Sequence, residues 1–255
     1  MAHRLSEKVI LVIGGTSGIG KALSIGFVKE GATVITTSRS MEKVSATINE
    51  LKAMGNCWDE PLTTDITSAE QVERTCTHII GEKKRIDVLA CVAGIYIKKP
   101  AEDISLEEWH TVINTNLTGT FIANQIVGRA MLSREKGSII NIGSLGSAVA
   151  LSQTMPYCVS KSGVAMLTQC LSSEWCSRGV RVNALLPGVF PTELNKKALS
   201  DPKRVENIIR HTPMRRLGAV EELCGAATFL ASDESSFVSG TAIPVDGGFL
   251  AFSGF

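Results

Sequence analysis

Short hydrophobic runs alternate with longer amphipathic stretches along nearly the whole chain. Continuous runs rich in β-branched residues are typical of strands that are covered on both faces. Five such runs lie at 9–13, 32–36, 86–90, 138–142 and 180–185. We predict a weaker strand from Cys57 to Thr64 and a last one from Thr241 to Val245, so the sheet should have about seven strands.

Helices are predicted between these strands. The amphipathic stretches lie near 18–30, 41–54, 68–84, 106–134, 152–178 and 219–231. This order favours a parallel sheet with helices on both faces, because a connection between parallel strands needs a crossover that is usually helical. No linker rich in Pro, Gly or Ser divides the sequence, so we expect one α/β domain over residues 1–255.

Composition and charge exclude several function classes. The chain has 44% hydrophobic residues, 20% charged residues and a formal charge of +1. These values are ordinary for a soluble globular protein, and they give no reason to expect nucleic acid or an acidic membrane as a partner. We therefore expect a small-molecule ligand.

Cysteines, histidines and the chain ends show no metal-binding, disulfide or targeting pattern. The seven cysteines contain no Cys-x-x-Cys pair and the four histidines no His-Glu-x-x-His motif, so we expect reduced thiols and no metal. Residues 1–8 lack the apolar core of a signal peptide, and 253–255 differ from a peroxisomal address. A cytoplasmic location is expected.

A glycine-rich turn follows the first predicted strand and opens a helix. Glycines let the backbone approach a ligand, and the helix N-terminus presents free N–H groups and positive potential, which suit a pyrophosphate. A turn with a purely structural role is the alternative. The candidate cofactor-binding residues in this turn are Gly14, Thr16, Ser17, Gly18, Ile19 and Gly20.

The end of the second predicted strand favours NADP(H) over NAD(H). An acidic residue there would bind the ribose 2′-hydroxyl of NAD, but the strand ends in Ser38-Arg39-Ser40, with no acid before Glu42. Arg39 can form a two-pronged contact with a 2′-phosphate, and the two serines can add hydroxyls. The alternative is that Arg39 is a solvated loop residue.

Tyr157, Lys161 and Ser144 are the candidate catalytic residues. Tyr157 and Lys161 are four residues apart in a predicted helix and therefore project from one face. A tyrosine has a pKa near 10 in water, and a nearby ammonium favours its phenolate. Ser144 follows the fifth strand, thirteen residues before Tyr157.

With these residues the chain resembles the short-chain dehydrogenase/reductase family over essentially its whole length. The spacing and order of several modest motifs carry the resemblance. They are the turn Gly14 to Gly20, Asp65, Asn116 in Asn-Leu-Thr-Gly, Ser144, Tyr157, Lys161, Pro187-Gly188 and Val245-Asp246-Gly247-Gly248.

The resemblance implies a Rossmann-like doubly wound fold, hydride transfer with a nicotinamide cofactor, and a role for each matching residue. Tyr157 would be the general acid/base, and Lys161 would lower its pKa and hold the nicotinamide ribose. Ser144 would bind the substrate oxygen, and Asn116 would position Lys161 and a water. The remaining cofactor contacts would be Asp65 and Ile66 at the adenine, and Ala93, Gly94, Pro187, Gly188, Val189 and Thr192 nearer the nicotinamide.

Two positions depart from the family pattern. Ile13 stands where threonine is usual, and Cys91-Val92 replaces two asparagines that normally stabilise the central strand beside the adenine. The four positions that the family uses for catalysis, Asn116, Ser144, Tyr157 and Lys161, are unaltered. We therefore expect activity, with a changed network near Cys91.

The substrate is expected to lie under a covering segment at about 190–217. The sequence 190–195, together with 215–218 and Glu174-Trp175, is similar to the gluconate 5-dehydrogenase subgroup, which implies a sugar acid. Lys98 and Lys99, after the fourth strand, could pair with its carboxylate or form a solvated pair. A 3-oxoacyl thioester reductase, or a regulatory protein that binds NADP(H) without turnover, are the alternatives.

Assembly is expected to be a homotetramer. The predicted helix 152–178 is apolar on more than one side, and a helix that is apolar beyond a single stripe is usually covered by something else. In this family, the covering element is the same helix of a second subunit.

Overall fold

A computed structural model describes residues 3–252. The residues 253–255, which differ from a peroxisomal address, lie outside the described range, as do residues 1 and 2. Seven parallel strands form one sheet, as predicted, and their order is β3-β2-β1-β4-β5-β6-β7. The strands are β1 (Val9–Ile13), β2 (Thr33–Ser38), β3 (Leu62–Thr63), β4 (Val88–Cys91), β5 (Gly137–Ile142), β6 (Val180–Pro187) and β7 (Ala242–Val245).

Helices cover both faces of this sheet. The strand β1 shows why, since Leu11 belongs to one hydrophobic cluster whereas Ile10 and Val12 belong to the other. Successive side chains of a strand point to opposite faces, so a fully apolar strand needs cover on both. The helices are α1 (Gly18–Lys29), α2 (Met41–Lys52), α3 (Ala69–Lys83), α4 (Leu106–Ile113), α5 (Gly119–Leu132), α6 (Met155–Trp175), α7 (Pro202–His211) and α8 (Leu223–Ala231).

The two clusters belong to different helices. The cluster that contains Leu11 includes residues of α3, α5 and α6. The cluster that contains Ile10 includes residues of α1, α2 and α8. The strand order reverses between β1 and β4, and ligands of such sheets bind at the carboxyl edge beside that point.

Several predicted elements need correction. In place of the strand expected at 57–64, the structure has the two-residue strand β3 and an isolated bridge between Cys57 and Val34. This segment lies at the edge of the sheet and pairs with β2 only. The helix expected at 106–134 is interrupted by a π-helical turn at Asn114–Thr118. The helix α7 was missed because it is short and polar, and none of its residues is fully buried.

A polar network occupies the position of the replaced asparagines. The Nδ2 of Asn124 donates to the sulfur of Cys91 at 3.4 Å and to Oδ1 of Asn141 at 2.9 Å. Asn141 in turn donates to the Thr168 hydroxyl at 3.0 Å. The changed network expected near Cys91 is therefore present, and it joins β4 and β5 to α5 and α6.

Residues 3–252 contain neither a membrane-spanning helix nor a cluster of metal ligands. No helix in that range is long and apolar enough to cross a membrane. No group of three or more His, Cys, Asp or Glu side chains in the same range is arranged to hold a metal ion. All seven cysteines lie in this range and are free thiols.

Candidate active site

One cleft at the carboxyl edge of the sheet contains nearly all of the predicted site residues. Its volume is about 560 Å³, within the usual range for ligand and cofactor sites. Of the predicted residues it brings together Gly14, Thr16, Ser17, Gly18, Ile19, Gly20, Ser38, Arg39, Ser40, Asp65, Ile66, Ala93, Gly94, Ser144, Tyr157, Lys161, Pro187, Gly188 and Thr192.

The glycine-rich turn lies at the floor of the cleft and is tightly packed. Gly14 has a φ of +89°, and a Cβ there would lie 2.5 Å from the backbone nitrogen of Ala93. A Cβ on Gly20 would lie 2.0 Å from the carbonyl oxygen of Gly14. Only glycine fits these two positions, and the close packing places the N-terminus of α1 against the cleft. This geometry suits a phosphate group.

Two cations lie at the end of β2. Arg39 lines the cleft, and so does Lys43, in the first turn of α2, which the sequence analysis missed. Ser40 caps this helix by accepting a hydrogen bond from the Lys43 N–H at 3.3 Å. Within residues 3–252, neither cation has a carboxylate within 4.0 Å. Their charges are available to an anionic ligand.

The opposite end of the cleft holds Ser144, Tyr157 and Lys161. Ser144 follows β5 and is 8% exposed, and its hydroxyl accepts a hydrogen bond from the Gly146 N–H at 3.1 Å. Tyr157 and Lys161 lie one turn apart near the start of α6. The Lys161 Nζ donates to the carbonyl oxygen of Ile142 at 2.7 Å. Burial lowers the pKa of this lysine to about 8.

The pKa of Tyr157 shifts in the direction opposite to the one expected from Lys161. Burial raises it above the usual value, and hydrogen bonding to Ser144 opposes this only in part. The Lys161 Nζ lies 5.9 Å from the centre of the Tyr157 ring, and its hydrogen bond goes to Ile142 instead. Burial is the largest cause of this shift, and Lys161 is not among the groups that produce it, so the lowering of the Tyr157 pKa by Lys161 stays a prediction. Burial favours the neutral phenol.

Asn116 lies behind the cleft and does not line it. It is fully buried in the π-helical turn, where its side chain accepts from the Ile95 N–H at 2.8 Å and donates to the Ile95 carbonyl at 3.0 Å. It also donates to the Ser160 hydroxyl at 3.0 Å, next to Lys161. Asn116 thus ties the loop after β4 to α6.

The segment after β6 closes the cleft from one side. Phe190, Leu194 and Asn195 line it together with Thr192. Asn195 holds the loop closed, since its Oδ1 accepts from the Thr192 N–H at 2.9 Å and its Nδ2 donates to the Phe190 carbonyl at 2.9 Å. Val189 lines a neighbouring cavity of about 380 Å³ instead of the main cleft. The prediction placed it with Gly188, which lines both cavities.

Phe190, Glu193, Leu194 and Asn195 belong to the predicted covering segment 190–217. Besides Lys43, the lining residues that were not predicted are Thr64, Val92, Ile95, Thr115, Ile142 and Gly143. All but Lys43 and Thr115 lie at the end of a strand or in the loop that follows it, a position that the parallel sheet itself points to.

Neither Lys98 nor Lys99 lines the cleft. The Lys99 ammonium forms an ion pair with Glu108 at 3.0 Å, and its backbone N–H donates to the Gln153 carbonyl. Lys98 is exposed. The hypothesis that this pair binds a substrate carboxylate is therefore not favoured.

The sequence model of a family described as enoyl-(acyl carrier protein) reductase matches residues 14–250. The chain belongs to the short-chain dehydrogenase/reductase family. This dehydrogenase/reductase is 36% identical over 246 residues to a D-threitol dehydrogenase of Mycolicibacterium smegmatis, covering 96% of this chain and 94% of the relative.

Two further comparisons bear on the dehydrogenase/reductase. A 3-oxoacyl-[acyl-carrier-protein] reductase of Thermotoga maritima is 36% identical, with 96% of this chain and 98% of the relative covered. A solved gluconate 5-dehydrogenase of Burkholderia cenocepacia, in complex with NADP and tartrate, superposes with a TM-score of 0.92 at 34% identity. That match covers 98% of this chain and 97% of the other.

Proposed function

We propose that the protein is an NADP(H)-dependent oxidoreductase that interconverts a secondary alcohol and a ketone on a sugar acid. One observation carries the proposal: a single cleft joins the glycine-rich turn and the cations Arg39 and Lys43 to the group Ser144, Tyr157 and Lys161. A dinucleotide is long enough to need both ends of such a cleft.

The residues present fit NADP(H). The turn at Gly14 and Gly20 leaves no room for side chains and exposes the start of α1, which would bind the pyrophosphate. Arg39, Lys43 and the two serines Ser38 and Ser40 would hold the 2′-phosphate. Asp65 and Ile66 would contact the adenine. Ala93, Gly94, Pro187, Gly188 and Thr192 would surround the nicotinamide half, while Val189 would support this wall from behind. The bound cofactor supplies a hydride to the carbonyl carbon.

The protein's own side chains would supply the proton that the carbonyl oxygen takes up. Tyr157, whose neutral phenol is favoured by burial, would donate its proton to the carbonyl oxygen as that oxygen gains negative charge. Ser144 would donate a hydrogen bond to the same oxygen. Lys161 would hold the ribose and its own positive charge beside Tyr157, and Asn116 would fix the position of Lys161 through Ser160.

The sugar-acid assignment has two supports. The cleft-lining segment 190–195 contains the residues whose sequence resembles the gluconate 5-dehydrogenase subgroup. The solved gluconate 5-dehydrogenase binds tartrate, a hydroxy acid, together with NADP. The thioester reductase remains the second candidate. The relative from Thermotoga maritima is 36% identical to this chain, and the solved gluconate 5-dehydrogenase is 34% identical.

Turnover of two ketones by the purified protein tests the proposal. We expect NADPH oxidation with 5-ketogluconate at a kcat/KM well above that with an acetoacetyl thioester. The reverse preference would assign the protein to thioester reduction and would leave the assignment of the catalytic residues unchanged. Absence of turnover with both would favour the regulatory alternative.

We also propose a homotetramer in which α6 contacts a second subunit. On this helix Val159 is 43% exposed and Met166 is 57% exposed, although both are apolar. Sedimentation at micromolar concentration should give the mass of four chains, and a monomer would contradict the proposal. The cytoplasmic location stays a prediction, supported by the seven free thiols.

A further inference from the structure

Arg204, on α7, has an unusual surplus of hydrogen-bond donors. Its guanidinium carries five N–H groups. Within residues 3–252, its one hydrogen bond runs from Nη2 to the Tyr96 hydroxyl at 3.4 Å, and no carboxylate lies within 4.0 Å of it. Its Nε is buried without an acceptor among the described residues. A partly buried cation of this kind requires an explanation, because leaving buried donors unpaired is unfavourable.

Tyr96 connects Arg204 to the catalytic end of the cleft. The rings of Tyr96 and Tyr157 meet edge to face, with centroids 5.3 Å apart and an interplanar angle of 81°. Ile95, next to Tyr96 in sequence, lines the cleft, and so does Asn195, which precedes α7. Neither Tyr96 nor Arg204 lines the cleft itself, and the guanidinium lies one aromatic ring beyond Tyr157.

We propose that Arg204 binds the carboxylate of the substrate and that Tyr96 holds the guanidinium in place. The inference rests on the proposed sugar-acid function. In a 5-keto sugar acid the carboxylate lies several carbon atoms from the reacting carbonyl. An anion-binding group is therefore needed beyond Tyr157, not beside it, and Arg204 occupies such a position.

The chemistry of the side chain suits this role better than that of the lysines near the same loop. A guanidinium can form two parallel, charge-assisted hydrogen bonds with a carboxylate. Lys99 is already paired with Glu108, and Lys98 is exposed to solvent. Arg204 has both the free donors and the nearness to Tyr157.

The test compares Arg204→Gln with the wild type on two ketones that differ in one terminal group, which is charged in one and neutral in the other. The first is 5-ketogluconate, and the second is L-sorbose, which carries a hydroxymethyl group in place of the carboxylate. We expect kcat/KM to fall about 10- to 100-fold for the keto acid, mainly through KM, and to change less than about twofold for L-sorbose, because the lost contacts are charge-assisted.

Two variants control for charge and for structure. Arg210→Gln removes an exposed cation from the same helix and should leave both substrates unaffected. Arg204→Lys keeps the positive charge and should recover part of the activity on the keto acid. An equal loss on both ketones would overturn the proposal, because Arg204 would then act through Tyr96 on Tyr157. No loss on either would also overturn it.

Calorimetry separates failure of this inference from failure of the proposed function. Gluconate should bind the wild-type complex with NADPH, with which it cannot react, and Arg204→Gln should weaken that binding about 10-fold or more. If the wild type neither reduces 5-ketogluconate nor binds gluconate, the sugar-acid function is wrong, and the assignment of Arg204 is wrong with it. If the wild type and Arg204→Gln bind gluconate equally, only the assignment of Arg204 is wrong.

Discussion

Replacing Tyr157 by Phe should lower kcat for ketone reduction by about 10²- to 10⁴-fold, the usual contribution of a general acid. The phenol lines the cleft together with Ser144, and burial raises its pKa and so favours its neutral, proton-carrying form. The ring remains in Tyr157→Phe, so its edge-to-face contact with Tyr96 should persist. Steady-state oxidation of NADPH measures the loss.

The chain provides a matched control, since it has just two tyrosines. Tyr96→Phe removes the other phenolic hydroxyl from the same pair of rings, and its kcat should change less than about tenfold, since that hydroxyl contacts Arg204. NADPH affinity, measured by fluorescence titration, should be the same in both variants within a factor of about two. Similar losses of kcat in the two variants would show that the packing of the rings, and not the proton of Tyr157, matters.

Replacing Arg39 should change the choice of cofactor. We expect Arg39→Ala to lower kcat/KM for NADPH about 10- to 100-fold, because hydrogen bonds to a charged group contribute about 1.5–3 kcal/mol. The value for NADH should change little, since NADH lacks the 2′-phosphate. Arg39→Asp should go further and prefer NADH, because a carboxylate repels the phosphate and accepts from the ribose hydroxyl.

An exposed arginine elsewhere controls for the loss of a positive charge. Arg74 lies on α3, outside the cleft lining, and Arg74→Ala should leave both cofactors unaffected. A wild type that prefers NADH, or an Arg39→Ala variant with unchanged kcat/KM for NADPH, would contradict the NADP(H) assignment. In the second case, Lys43 would be the remaining cation at this end of the cleft.

The sequence predicted those parts of the molecule that depend on local pattern. Leu11 and its neighbours in β1 form a continuous apolar run, and such a run has few alternatives to a strand covered on both faces. The glycines at 14 and 20 were predicted at the cleft because no other residue fits a turn so tightly packed. These features depend on residues close together in sequence.

The parts that the sequence did not predict depend on distant contacts. Lys99 forms an ion pair with Glu108 and is therefore not free to bind a substrate carboxylate. The spacing of residues in the sequence could not show this ion pair. The burial that raises the pKa of Tyr157 comes from packing around the cleft. The pairing of Arg204 with Tyr96 spans 108 residues and depends on a helix that the hydrophobic pattern did not reveal.

The helix α7 contributes no fully buried residue, although its Arg204 contacts Tyr96, which packs against Tyr157. Substitutions at exposed positions usually change the free energy of unfolding by less than about 0.5 kcal/mol, so mutations in this helix can accumulate without loss of the folded state. Natural selection can therefore alter what the enzyme accepts independently of what keeps it folded. A library randomised only within 202–211 should accordingly yield mostly folded proteins, with diverse preferences among ketones.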